Sequence, residues 1–194
     1  MDANFLVAGV GGQGTILAGD ILAEVGMRAG YYAKKSDILG LAIRSGSVVS
    51  HIRWGMEVHS PMSMLAQVDY LLAFEPLEAL RMVEYLKADS TVIVNDYPIA
   101  PVAVTTGQAE YPGREQIDAV LGAASARYHS INVTEKATRL GNVKVVNIML
   151  LGVLSGLLQV SPEIWEQTIR KYVPARLIDV NLKAFQSGRG LIAG

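Results

Sequence analysis

Apolar and polar positions along this chain change period several times, and the changes mark its elements. Residues 4–8 carry the evenly apolar core Phe5-Leu6-Val7-Ala8, too short for a surface helix, and predict a buried strand of a parallel sheet. From Thr15 onward Ile16, Leu17, Gly19, Asp20, Leu22 and Ala23 recur at helical spacing. Strand-like runs follow at 31–34, 48–54, 57–60, 70–74, 91–95, 102–105 and 130–133. Helical patterns lie between some of them: 77–86 gathers Leu77, Leu80, Met82, Val83 and Leu86 on one side, and 114–126 does the same with Ile117, Val120 and Leu121. The runs flanking Gly55-Met56 predict a hairpin, so the sheet is expected to be mixed. After Val133 the pattern turns helical, over 135–158 in one or two pieces, then 162–172 with Ser161 as N-cap and Pro162 at the first helical position, then 175–185 beyond Pro174. Together these predict an α/β fold, a three-layer Rossmann-like domain with a mixed, mainly parallel sheet and a helical C-terminal part. No repeat, low-complexity tract or linker interrupts the chain, and 1–194 reads as one domain.

Composition narrows the class. With 51% hydrophobic and 18% charged residues, the 194-residue chain has ample material for a core and is not disordered. A net charge of -1, with no basic cluster beyond Lys34-Lys35, leaves no electrostatic footprint for nucleic acid or an anionic membrane surface. The most apolar stretch, 145–158, falls short of a membrane span and is expected to be a buried core helix. The apolar start is cut by glycines and lacks a basic n-region, so a cytoplasmic location is expected. The absence of cysteine excludes disulfides, thiolate-held iron–sulfur clusters and a cysteine nucleophile on this chain.

Candidate chemistry starts at Gly9-Val10-Gly11-Gly12-Gln13-Gly14, between the first strand and the first helix. Glycines there permit a tight turn and close backbone approach, and the free N–H groups of the helix start face any anion that arrives. A structural tight turn explains the same pattern. A dinucleotide site usually adds an acidic residue about twenty positions on. This chain has Lys34-Lys35 near that point, which argues against NAD and permits a phosphorylated ribose such as that of NADP or coenzyme A; two solvated lysines fit equally.

A second unusual passage runs from Ile43 to Gly55, I-R-S-G-S-V-V-S-H-I-R-W-G. In its strand Val49, His51 and Arg53 share one face, while Val48, Ser50, Ile52 and Trp54 share the other. Arg44, His51 and Arg53 could meet an anionic ligand or partner carboxylates, or line an ordinary exposed sheet face. Glu75, before Pro76, sits at a strand's C-terminal end, where α/β folds often place sites; helix capping or a surface pair suits it as well. Asn147, inside an apolar helix, should find a hydrogen-bond partner. None of the three histidines has a second ligand at metal spacing, and no nucleophile is identifiable, so neither a metal site nor a catalytic residue is assigned.

Taken together, G-V-G-G-Q-G-T, K-K-S-D-I-L-G, the passage from Ile43 to Gly55, H-S-P at 59–61, L-L-A-F-E-P-L-E-A-L at 71–80 and G-N-V-K-V-V-N-I-M-L-L-G at 141–152 resemble the gamma-type subunits of 2-oxoacid:ferredoxin oxidoreductases, in particular the indolepyruvate branch. The likeness spans nearly the whole chain. One departure is Arg44-Ser45-Gly46, where the family usually shows Arg-Gly-Gly.

The resemblance implies one subunit of an enzyme that oxidatively decarboxylates an arylpyruvate such as indolepyruvate, transfers the acyl unit to coenzyme A and passes electrons to ferredoxin. Thiamine diphosphate, magnesium and iron–sulfur clusters are then expected on a larger partner, and this chain should be inactive alone. The chain also lacks a Gly-Asp-Gly motif followed by paired asparagines for thiamine diphosphate. The implied binding face comprises Gly9, Gly11, Gly12, Gln13, Gly14, Lys35, Arg44, Ser47, Ser50, His51 and Asn147. Trp54 and the 71–80 segment are expected to offer apolar surface to the partner. A freestanding NAD(P)-dependent dehydrogenase and a nucleotide- or coenzyme A-binding module remain the alternatives.

Overall fold

The structure, a computed structural model, describes residues 2–40 and 46–192. Among these, six strands form one sheet: β1 (Ala3–Val10), β2 (Tyr32–Leu39), β3 (Ser47–Gly55), β4 (Val68–Ala73), β5 (Leu86–Asn95) and β6 (Arg127–Ile131), in the order β2-β3-β1-β4-β5-β6. Strands β1, β4, β5 and β6 run parallel, whereas β3 is antiparallel to both β1 and β2. The sheet is thus mixed and mainly parallel, as the pattern predicts.

Helix α1 (Thr15–Arg28) packs on one face together with α5 (Val133–Arg139), α6 (Val146–Leu157), α7 (Pro162–Tyr172) and α8 (Ile178–Arg189). Phe5, Val7, Ile52 and Trp54 supply the sheet side of that core. The opposite face, with Leu6, Ala8, Val49 and Leu71, is covered by α2 (Pro76–Arg81) and α4 (Arg114–Ala124). Three layers result because strands apolar on both faces must be covered on both. Helix α6 is buried from Val146 to Ser155, which is why its sequence shows no polar stripe. No helix among the described residues is long and apolar enough to cross a membrane.

Several local expectations are corrected. Residues 57–60 form no strand, so there is no hairpin at Gly55-Met56; the antiparallel partners of β3 are β1 and β2. Residues 102–105 are a short helix, α3 (Val102–Thr105), exposed and without a strand neighbour to pair with. The helix expected over 77–86 stops at Arg81; a 3-10 turn, Val83–Tyr85, then delivers Leu86 to β5. Strand β2 runs four residues past Lys35, so the lysine pair sits mid-strand and not at its end.

Trp54 and most of β4 are buried, with Trp54 stacked on Tyr31 and tilted against Phe5, so they offer no surface to a partner. The exposed apolar side chains lie elsewhere, among them Tyr32, Leu39, Met56, Met64 and Leu65. His51 is likewise no surface residue: it is 1% exposed, its Nδ1 accepts the Ser63 N–H at 3.3 Å, and its ring meets Tyr85 edge-on. Arg53 donates to the Asn4 side chain at 2.8 Å and to the Ser60 carbonyl at 3.1 Å, and Lys34 donates to the His59 carbonyl at 3.0 Å. The polar face of β3, with its neighbour Lys34, thus anchors the 56–66 loop, which covers it.

Candidate functional site

The turn between β1 and α1 lies at the carboxyl end of the parallel strands, where open α/β sheets place ligands. Gly14 is the N-cap of α1 at φ 80° and contributes no capping side chain. Gly9 has no room for a Cβ, which would fall 2.7 Å from Thr15 Oγ1 and 2.8 Å from Gln13 Oε1. Gln13 staples the turn from within: its Oε1 accepts the Val10 N–H at 2.8 Å and its Nε2 donates to the Phe74 carbonyl at 3.0 Å. The Gly11 N–H donates to the Gly46 carbonyl at 2.9 Å, joining the turn to the start of β3. Among the described residues, the N–H groups of Gly12, Gly14, Thr15, Ile16 and Leu17 have no acceptor. These are the donors available to an anion, at the positive end of a fourteen-residue helix.

The turn divides two clefts. One, of about 640 Å³, is bounded by Gly11, Ile16, Asp20, Leu39, Gly40 and Val48. The other, of about 450 Å³, is bounded by Gln13, Tyr97, Ile99, Thr134, Lys144 and Asn147. Asn147 is 4% exposed; its Oδ1 accepts the Ile148 N–H at 2.9 Å, whereas no acceptor for Nδ2 is present among the described residues. That amide lies against Gly14, so the Asn147 side-chain donor, the α1 amides and Lys144 converge on the second cleft.

A smaller cavity of about 170 Å³ adjoins the turn beside Ser47, Glu78 and Arg81. Glu78 accepts from Ser47 Oγ at 2.5 Å and pairs with Arg81 at 3.2 Å. Burial holds its carboxyl above the ordinary glutamate value, against the Ser47 hydrogen bond. Glu75 caps α2 as its position suggests, accepting the Glu78 N–H at 3.0 Å. It also accepts the Ile99 N–H at 3.1 Å and the Tyr111 hydroxyl, pinning the 96–113 excursion that walls the second cleft.

Residues 4–191 match the family model described as pyruvate ferredoxin/flavodoxin oxidoreductase. The chain belongs to this family. It is 36% identical over 188 residues to the indolepyruvate oxidoreductase subunit IorB of Pyrococcus horikoshii, covering 95% of this chain and 93% of that protein. The IorB subunit of Archaeoglobus fulgidus is 36% identical over 190 residues, covering 97% and 94%. Among solved structures, the keto/oxoacid ferredoxin oxidoreductase gamma subunit of Geobacter sulfurreducens superposes with a TM-score of 0.70 at 26% identity, covering 96% and 95%. The resemblance carried by the motifs is therefore borne out, and so is the α/β fold.

In this member of the pyruvate ferredoxin/flavodoxin oxidoreductase family, the sheet order explains why the glycine turn differs from a dinucleotide site. There, β2 lies directly beside β1 and its end carries the ribose-binding acid. Here β3 is interposed, moving the end of β2 two strand spacings, or about 10 Å, from the turn.

The structure brings Gly9, Gly11, Gly12, Gln13, Gly14, Ser47 and Asn147 together around the turn. Lys35, Ser50 and His51 lie lower in the sheet. Lys35 is level with Phe5, four residues or about 13 Å below the level of Gly9. Its ammonium bridges Asp20 and Asp37 at 2.7 Å each, and Ser50 Oγ donates to Asp37 at 2.5 Å. Burial opposes the Lys35 charge, but the two carboxylates outweigh it and hold the ammonium above its ordinary value. Arg44 lies outside the described residues.

Glu78, Arg81, Lys144 and the 97–101 wall are site neighbours that sequence reasoning missed. Lys144 stood inside the quoted G-N-V-K-V-V-N run. Nothing local flags the others, because a helix two strands away and an irregular excursion bring them in.

Proposed function

We propose that this chain is the cluster-free small subunit of an indolepyruvate-type 2-oxoacid:ferredoxin oxidoreductase. The full-length match to IorB subunits, 36% identical over 95% of the chain, carries this proposal. The absence of cysteine supports the division of labour, with thiamine diphosphate, magnesium and iron–sulfur clusters on a larger partner. In the overall reaction the 2-oxoacid loses carbon dioxide, its acyl carbon forms a thioester with coenzyme A, and two electrons leave to ferredoxin with release of the thiol proton.

This chain's part is binding and closure. The free amides of Gly12, Gly14 and Thr15, the Asn147 amide and Lys144 suit the phosphate groups of coenzyme A in a cleft shared with the larger subunit. An amide donor that has no acceptor among the described residues, beside an uncapped helix start, fits an oxyanion, to which both can donate.

The test is co-production with the larger subunit and measurement of electron-acceptor reduction with indolepyruvate and coenzyme A. Turnover is expected only from the assembled complex and only with both substrates. Activity from the chain alone, or a complex that ignores arylpyruvates in favour of another 2-oxoacid, overturns the assignment.

A further inference from the structure

Strand β2 is an edge strand. From Tyr32 opposite Gly55 to Leu39 opposite Val48 its pairing with β3 is regular, without bulge or proline, so the N–H and C=O groups of alternate residues face outward along its whole length. Proteins usually blunt such an edge with outward lysines, bulges or covering loops. Here both edge lysines are drawn back, Lys34 to the His59 carbonyl and Lys35 to Asp20 and Asp37. The strand also exposes Tyr32 (70%), Ile38 (46%) and Leu39 (60%).

Charge selects what can pair there. Two copies joined antiparallel about a two-fold axis normal to the sheet keep each face on its own side, so the pairing centres on a residue. Centring on Lys35 or on Asp37 sets like charges opposite each other. Centring on Ser36 sets Lys35 opposite Asp37 twice, Ala33 opposite Leu39, and Lys34, through its aliphatic stem, opposite Ile38.

We propose that β2 is the docking edge for a second copy of this chain, paired antiparallel about Ser36, which places Tyr32 of the second copy over Gly40. Leu39 and Gly40 line the larger cleft, so the second copy completes its rim. An aromatic opposite an edge glycine is a favourable cross-strand pair. The joined sheet has twelve strands, and each copy contributes one tyrosine to the other's cleft. This assembly is independent of the function proposed above.

The chain has no cysteine, so introduced thiols report without background. Ser36→Cys is expected to form a disulfide-linked dimer on mild oxidation, because directly opposed Cα atoms about 4.5–5.5 Å apart lie within disulfide reach. Mixing Lys34→Cys with Ile38→Cys is expected to give the mixed disulfide, with little linkage in either alone. This second pair keeps the test valid if Ser36→Cys fails to fold. Light scattering of the unmodified chain should give twice 20.8 kDa. A monomer without Ser36→Cys linkage overturns the proposal, as does a dimer linked through other positions.

Discussion

Asn147 sets its side-chain amide against the Cα of Gly14, where an added Cβ would lie 2.6 Å from Nδ2. The same glycine holds φ 80°. Gly14→Ala is therefore expected to destabilise the fold by about 1–2 kcal/mol from the left-handed backbone alone, and by more through displacement of Asn147. Urea denaturation measures this, and an unchanged midpoint would show that the turn relaxes around a methyl group.

Asn147→Asp separates folding from binding. A carboxylate near the start of α6 favours the helix, but at a side chain 4% exposed its desolvation opposes that gain, so stability should hold or fall modestly. The same charge repels an anion in the cleft, and the KM for coenzyme A of the assembled complex is expected to rise about tenfold, or ~1.4 kcal/mol. An unchanged KM with intact stability removes coenzyme A from this cleft.

Glu75 is 1% exposed and holds three donors from different segments. Burial, followed by the Glu75 carboxylate itself, pushes the Tyr111 phenol above its usual range. Glu75→Ala is expected to cost about 2–4 kcal/mol, combining a lost helix cap with unsatisfied buried donors. Hydrogen exchange at Ile99 should accelerate more than in β5. Uniform acceleration would mean that the 96–113 wall is held by something else.

His51 introduces a pH dependence. Burial lowers its folded value below the ordinary 6.5. Between the two values the unfolded chain binds more protons, so this contribution is complete above 6.5 and is lost as pH falls toward the folded value. His51→Gln, which takes up no proton, should flatten the part of the stability profile that falls as pH drops below 6.5. Parallel profiles for the two proteins would show that His51 does not titrate on unfolding.

Arg53→Glu, which the expectation that Arg53 meets partner carboxylates would make an assembly variant, is instead expected to loosen the 56–66 loop. It loses both the Asn4 and Ser60 hydrogen bonds and sets a carboxylate against two oxygen acceptors. A stability loss of about 1–3 kcal/mol follows, with limited proteolysis directed to the loop. Intact stability with failed co-elution of the larger subunit would reinstate the interface.

The sequence by itself determined the α/β class, the strand–glycine turn–helix start, the buried character of α6 and the family. These properties live in short windows: evenly apolar runs, 3.6-residue periodicity, and glycines where the backbone needs them. It also divided β3 correctly into two faces, since alternation is a local property of a strand. What covers each face is not local. Only the tertiary structure decided that His51 and Arg53 anchor a loop, because that loop reaches them from 56–66 and not through a second hairpin strand. Likewise the insertion of β3 between β2 and β1 is a choice of pairing partner, made across some forty residues, and it removes Lys35 from the turn. The cleft itself, where Asn147 meets Gly14, exists only because α6 packs beside α1 after more than a hundred intervening residues have folded between them.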